Sequence, residues 1–314
     1  MNERKTVCGS GAAEYMRMDR QGHAFQGMAV WKDLLFQLFD TGICAVYDLL
    51  SRAPEPLAVF PLGSHNDGVP DKNYKNHCNQ CMFSDIIPEG GEIPLLYVTS
   101  GSGTGYDEDG FFYRCSVEKI TLLRDPGGRV SGGSAETVQT VAYLPGGELP
   151  EGVEEPAWGC PAWFPDTREG LIYVFSARYR TTKDYLHLYS ENRYKVTAFR
   201  LLDPAEGGFV RLGAEDIIAQ KIYPYDIIFT QGGLYEDGKI FYTFGAGHDP
   251  YPNGLRVFDL RSGGISAGID LTGSVFAAEE PEACVFWRGG LYVNTNTKPR
   301  GGLFYVCAEN EIKR

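Results

Sequence analysis

The chain shows almost no helical periodicity. Across 314 residues, long stretches with apolar side chains every three to four positions are nearly absent, which leaves strands as the main building material. No run of about 18 apolar residues occurs, so no helix of bilayer-spanning length is expected. Met1 to Gly11 lacks the apolar core of a signal peptide. Basic residues are scarce: 29 Lys and Arg stand against 41 Asp and Glu, a formal charge of −12. That balance argues against a nucleic-acid partner and against an anionic membrane surface. Its plain consequence is solubility; its functional one would be a cleft for a cation or a neutral sugar. The eight cysteines form no spaced framework of disulfide type, and most lie in apolar strand contexts, as buried free thiols do. Free thiols favour a cytoplasmic setting unless the chain is a trimmed mature form. There is no Gly-x-Ser-x-Gly elbow, and Gly101-Ser102-Gly103-Thr104-Gly105 leads into no helix that would cradle a phosphate. No cofactor is expected.

What the chain does have is internal repetition. Phe25-Gln26-Gly27-Met28-Ala29-Val30-Trp31-Lys32-Asp33 runs into an apolar strand and then Val46-Tyr47-Asp48-Leu49. Thr230-Gln231-Gly232-Gly233-Leu234-Tyr235-Glu236-Asp237-Gly238 runs into Phe241-Tyr242 and then Val257-Phe258-Asp259-Leu260. A third copy, from Glu280 to Val293, keeps the strand–turn–strand and places Glu282 where the others have glutamine. Repetition built from strands signals an array. A chain of this size can form one all-β domain and bury a large core unaided.

Division by strand–turn–strand units gives starts near 26, 77, 160, 231 and 282. The first unit reads as Gly27–Trp31, Leu34–Phe39, Ile43–Leu49 and Leu57–Leu62, with Asp40-Thr41-Gly42 as a hairpin turn. The second opens with Asn79–Phe83, and the third with Ala162–Phe164. The fifth reaches only its third strand, Leu303–Cys307, before the chain stops. Thr6 to Met18 belongs to no unit. A closed ring resolves both facts: the N-terminal segment supplies the missing outer strand of the last blade, and closure removes exposed edges. The expectation is an all-β, five-bladed β-propeller, a single domain over 1–314, with four-stranded antiparallel blades of roughly sixty residues each. Six blades is the rival count.

In such a ring the first strand of every blade lines the axis, so its opening residues converge. These are Gln26, His77 and Asn79, the Trp158–Trp163 region, Gln231, and Glu280 with Glu282. Amides, an imidazole, indoles and carboxylates on one axis suit a hydroxyl-rich ligand. The same glutamines would also serve to satisfy backbone groups, and the glycine after each would let neighbouring backbones crowd together. Glu279, Glu280 and Glu282 form the densest acidic cluster near this entry. Like charges held close raise one another's pKa, as a general acid requires. His77-Cys78-Asn79-Gln80-Cys81 offers three metal-ligand types, yet strand alternation would send Cys78 and Cys81 to opposite faces, so no metal site is expected. His65 and His248 sit in loops at the rim.

Gln26-Gly27-Met28-Ala29, His77-x-Asn79 and Gln231-Gly232-Gly233 together resemble the five-bladed propellers of teichoic-acid biosynthesis loci and phage receptor-binding proteins. That resemblance, running from Phe25 over nearly the whole chain, implies the architecture and an association with glycans. The chain departs from it at Cys78 and Glu282. Five-bladed glycosidases place two aspartates and a glutamate on their first three inner strands; Gln26 and Asn79 stand there instead, so two-carboxylate glycoside hydrolysis is not expected.

The function expected is recognition of a carbohydrate or polyol at the channel mouth. Gln26, His77, Asn79, Gln231 and Glu282 would hydrogen-bond it, Trp158, Trp163 and Tyr179 would stack on it, and His248 would add a rim contact. The alternatives are a glycan hydrolase or lyase using Glu282 and His77, and a structural or protein-binding propeller.

Overall fold

A computed structural model of the chain describes residues 5–8, 11–65, 76–100, 114–157, 161–178, 190–273, 275–276, 279–296 and 300–313. Two strands come first, β1 (Lys5–Cys8) and β2 (Ala13–Asp19). The first blade is β3 (Phe25–Trp31), β4 (Leu34–Phe39), β5 (Ile43–Asp48) and β6 (Ala58–Pro61). The second is β7 (Cys81–Phe83), β8 (Leu96–Ser100), β9 (Arg114–Arg124) and β10 (Val130–Tyr143). The third comprises β11 (Ala162–Asp166), β12 (Leu171–Ala177) and β13 (Arg193–Arg200); after β14 (Gly208–Leu212) it finishes with β15 (Ala219–Pro224). The fourth is β16 (Thr230–Glu236), β17 (Lys239–Phe244), β18 (Gly254–Asp259) and β19 (Gly264–Asp270). The last is β20 (Pro281–Trp287), β21 (Gly290–Thr295) and β22 (Arg300–Ala308).

Each sheet has a four-stranded antiparallel body, and the five inner strands neighbour one another in a closed ring, from β3 through β7, β11, β16 and β20 back to β3. The molecule is a five-bladed β-propeller. The N-terminal segment closes it as expected, but in two pieces. β2 pairs antiparallel with β22 and completes the last blade, while β1 pairs in parallel with β19 and widens the fourth. β14 likewise joins β10 in parallel, so a piece of the third unit serves the second blade. Sequence spacing does not announce these two additions, because a short strand added in parallel far from its chain neighbours leaves no local pattern.

Five apolar clusters fill the five seams between blades. Alternation along each strand gives this: one side chain enters the seam before the blade, the next enters the seam after it. Two-residue turns Asp237-Gly238 and Arg288-Gly289 have positive φ at both positions, the mirror-image turn whose twist matches that of the strands it joins.

The inner strands are not regular. β3, β16 and β20 each lose register beside the repeated Gln-Gly or its Glu counterpart, between Phe25 and Met28, Thr230 and Gly233, and Pro281 and Ala283. A bulge frees backbone groups, and a buried polar side chain on the second strand takes them up. Gln37 Nε2 donates to the carbonyls of Gln26 and Gly27, both at 3.2 Å. Thr243 Oγ1 donates to Gly232 O at 2.7 Å and to Glu282 O at 3.2 Å. Asn294 accepts from Ala283 N at 2.7 Å and donates to Gln26 O at 2.8 Å. The Thr243 and Asn294 bonds each cross from one blade to the next, pinning the ring from inside.

Candidate functional site

The inner strands come so close at one level that glycine is required. A Cβ on Gly232 would lie 2.5 Å from Asn79 O and 2.8 Å from Glu282 O; one on Gly27 would lie 2.7 Å from Cys78 O. Gly232 of the fourth blade thus touches the second and the fifth at once. On either side of this waist the ring has two mouths, one where the inner strands begin and one where they end.

At the first mouth, Glu282 is buried on β20, with one carboxyl oxygen lacking a hydrogen-bond partner among the described residues. Burial pushes its pKa well up, and the charge of Glu280 pushes it further. A hydrogen bond from Asn296 and the charge of Arg20 oppose the rise without cancelling it. Glu282 therefore holds its proton far above the ordinary carboxyl range. Glu280, two residues earlier, is also raised by burial, less strongly, because Gln231 and Asn296 hydrogen-bond it and His248 and Arg20 oppose the rise. Gln231 Nε2 lies 3.4 Å from Glu280 Oε1 and 2.8 Å from Gly245 O.

His77 is half-buried just before β7, and desolvation lowers its pKa against the opposing charge of Asp40. The imidazole is thereby kept neutral. Asp40 also bears on Glu282, so His77 and Glu282 share a neighbour. The mouth presents a protonated carboxyl, a second carboxyl, a neutral imidazole and several amides: groups that can give and take protons from a neutral polar ligand.

Several expectations need correction. Residues 77–80 are not strand; Cys78 has a φ of 52° and its amide is held by Asn76 Oδ1 at 3.1 Å. The left-handed turn removes the alternation assumed there, and Cys78 and Cys81 both enter the seam between the first two blades rather than opposite faces. Trp163 is fully buried in the seam between the second and third blades, so it offers no stacking face to a ligand. Glu279 is spent within the fold, accepting from Thr295 Oγ1 and from Arg17 at 3.2 Å. Gln231 gives much of its hydrogen-bonding capacity to Gly245 and Glu280. Gln26 and Asn79 lie nearly buried at the convergence, and His248 is exposed at the rim, its ring edge-on to Tyr251. Trp158, Tyr179 and the start near 160 lie outside the described residues.

Sequence reasoning missed Arg20, Asp40 and Asn296. Asp40 Oδ1 accepts from Ala24 N at 3.1 Å and Asn296 Oδ1 from Phe25 N at 3.2 Å, so both also anchor the start of β3. A signal existed. Asp40, His248 and Asn296 all follow the second strand of their blades, a connection that in a propeller returns to the same face as the opening of the inner strand.

The fold defines the class: a five-bladed β-propeller, here with titratable groups gathered where its inner strands begin. No family model matches the chain, and no curated protein matches it in sequence. Among solved structures it is similar to a glutaminyl cyclase from Myxococcus xanthus, at 10% identity and a TM-score of 0.51, over 98% of this chain and 99% of that one. A computationally designed protein, Ika8, aligns over 90% of this chain and 71% of its own at 10% identity, with a TM-score of 0.30 that supports no shared arrangement. The teichoic-acid and phage-receptor resemblance gains no support from these comparisons; the propeller architecture does.

Proposed function

We propose that the first mouth is an active site for acid–base chemistry on a small neutral substrate bearing hydroxyl or amide groups, with Glu282 as proton donor. The observation that carries this reading is the buried carboxyl of Glu282, one oxygen of it without a hydrogen-bond partner among the described residues, beside the carboxyl of Glu280; burial pushes the Glu282 pKa up more strongly than that of Glu280. Two titratable groups whose surroundings push them apart mark an acid and a base. Glu282 would protonate a leaving group while Glu280 or neutral His77 removes a proton from the attacking nucleophile. Gln26 and Asn79 would orient the substrate.

The neighbouring glutaminyl cyclase shares only the fold at 10% identity, yet its name supplies one substrate class to try. In a peptide with N-terminal glutamine, the free amine would attack the side-chain carboxamide carbon. A new C–N bond would close the ring, the old one would break, and ammonia would leave with the proton from Glu282. A carbohydrate or polyol is the second reading, favoured by the amides and the imidazole at one mouth.

The test is turnover by mass spectrometry on N-terminal glutaminyl peptides and on a panel of aryl glycosides and oligosaccharides. The proposal expects product with the natural chain and a loss of about a hundredfold or more with Glu282→Gln, at unchanged melting temperature. Saturable glycan binding without turnover would select recognition. Neither binding nor turnover would overturn both readings.

A further inference from the structure

Beyond the waist, where the inner strands end, lies a cavity of about 730 Å³, within the roughly 300–1,000 Å³ of small-molecule sites. Gly27 and Gly232 pack the inner strands closely together between it and the first mouth, and Glu282 is not among its lining residues. Its walls are thioether and aromatic: Met28, Met82, Tyr173, Tyr235 and Phe286. The Tyr173 and Tyr235 rings stand 5.2 Å apart. Asp166, nearly buried at the end of β11, holds Tyr235 of this pair. One oxygen accepts the Tyr235 hydroxyl, and the other accepts the backbone N–H groups of Arg168 and Glu169 at 3.1 and 3.2 Å. Burial raises both phenols, so they stay neutral, with intact electron-rich faces.

The lining is also acidic. Asp85, Asp166, Glu169, Glu236 and Asp237 face two guanidiniums, of which Arg168 is tied to Asp237 at 3.1 Å. Lys313 neutralises Glu236 at 2.7 Å and leaves the excess standing.

We propose that this cavity binds an organic cation, an ammonium group carried on an apolar body. Thioether and aromatic walls take the body, tyrosine faces and the acidic rim take the charge, and an anion is repelled. A bare metal ion does not fit this assignment, because the described residues hold no group of three metal-ligating side chains.

The probe is phenyltrimethylammonium, titrated calorimetrically against the intact chain beside its uncharged isostere tert-butylbenzene. The cation should bind at least about tenfold more tightly. Tyr173→Leu should weaken it about tenfold, and Asp85→Asn, an exposed change that leaves the core alone, by a few fold, while Glu282→Gln leaves it unaltered. Melting curves confirm that each variant is folded. Equal binding of the isostere, indifference to both variants, or no saturable binding would each overturn the assignment. Glu282 is untouched by any of these outcomes, so the reading of the first mouth stands or falls separately.

Discussion

The side-chain amide of Asn294 donates to Oε1 of Gln37 at 2.9 Å, joining the second strands of the last and first blades. Both side chains are wholly buried, and both serve the bulge at Gln26. Asn294→Leu would strand the Ala283 N–H and withdraw a donor from the Gln26 carbonyl, costing about 1–3 kcal/mol. Gln37→Leu should cost a similar amount. Because the two act as one network, the double variant should lose less than the two single losses added together. Urea denaturation of the four proteins measures this. Strict additivity would show that the blades are not coupled through this pair.

Gly232 is where three blades meet. Gly232→Ala drives a methyl into the carbonyls of Asn79 and Glu282, backbone atoms that cannot swing aside. A loss of about 1–3 kcal/mol is expected. Gly11→Ala is the control, since nothing lies within 4 Å of a Cβ there. Thermal melting of both variants decides whether the waist is as tight as described.

Lys195 is a buried lysine on β13 whose ammonium is pulled down to about 8 by desolvation, with the charges of Glu154 and Glu155 resisting. In the unfolded chain it titrates near 10.4. Between those values the unfolded chain holds a proton that the folded chain lacks, so stability rises with pH across that window. Below about 8 both states are charged, and the folded state bears a cost of about 3 kcal/mol. Lys195→Met should therefore be the more stable protein near pH 7, and its advantage should shrink as the pH approaches about 10. Guanidinium denaturation at both ends of the window reads this directly. A difference independent of pH would mean that Lys195 is not desolvated.

The five blades were legible because Gln26-Gly27 and Gln231-Gly232 recur, each followed by a short turn and an apolar strand, and Glu282 holds the equivalent position in a third copy. The unfilled last unit together with the unassigned N-terminal segment revealed the closure, though not its division between β1 and β2. Glu282 stood out because it replaces glutamine in a repeat. Trp163 misled, because a tryptophan near the axis belongs equally well to the seam between blades, and alternation alone does not say which. Gln37 and Asn294 were unreadable for a related reason: inside apolar strands a polar residue carries no mark of the bulge it serves. Glu118 is another such case. It is buried on β9, where it accepts from Gly63 N at 2.9 Å and Thr137 Oγ1 at 3.0 Å and fixes the passage from the first blade to the second. Arg20, Asp40 and Asn296 join the mouth through connections whose convergence only the closed ring creates.

The proton-donor role requires that Glu282 keep a proton at neutral pH. Carbon-detected NMR titration of the side-chain carboxyl, assigned by comparison with Glu282→Gln, measures this without any knowledge of the substrate. The expected midpoint lies well above that of exposed glutamates, because burial and the neighbouring Glu280 both disfavour the anion. A midpoint near the ordinary value of about 4.3 would show an ionised carboxylate at the mouth and contradict the proton-donor role.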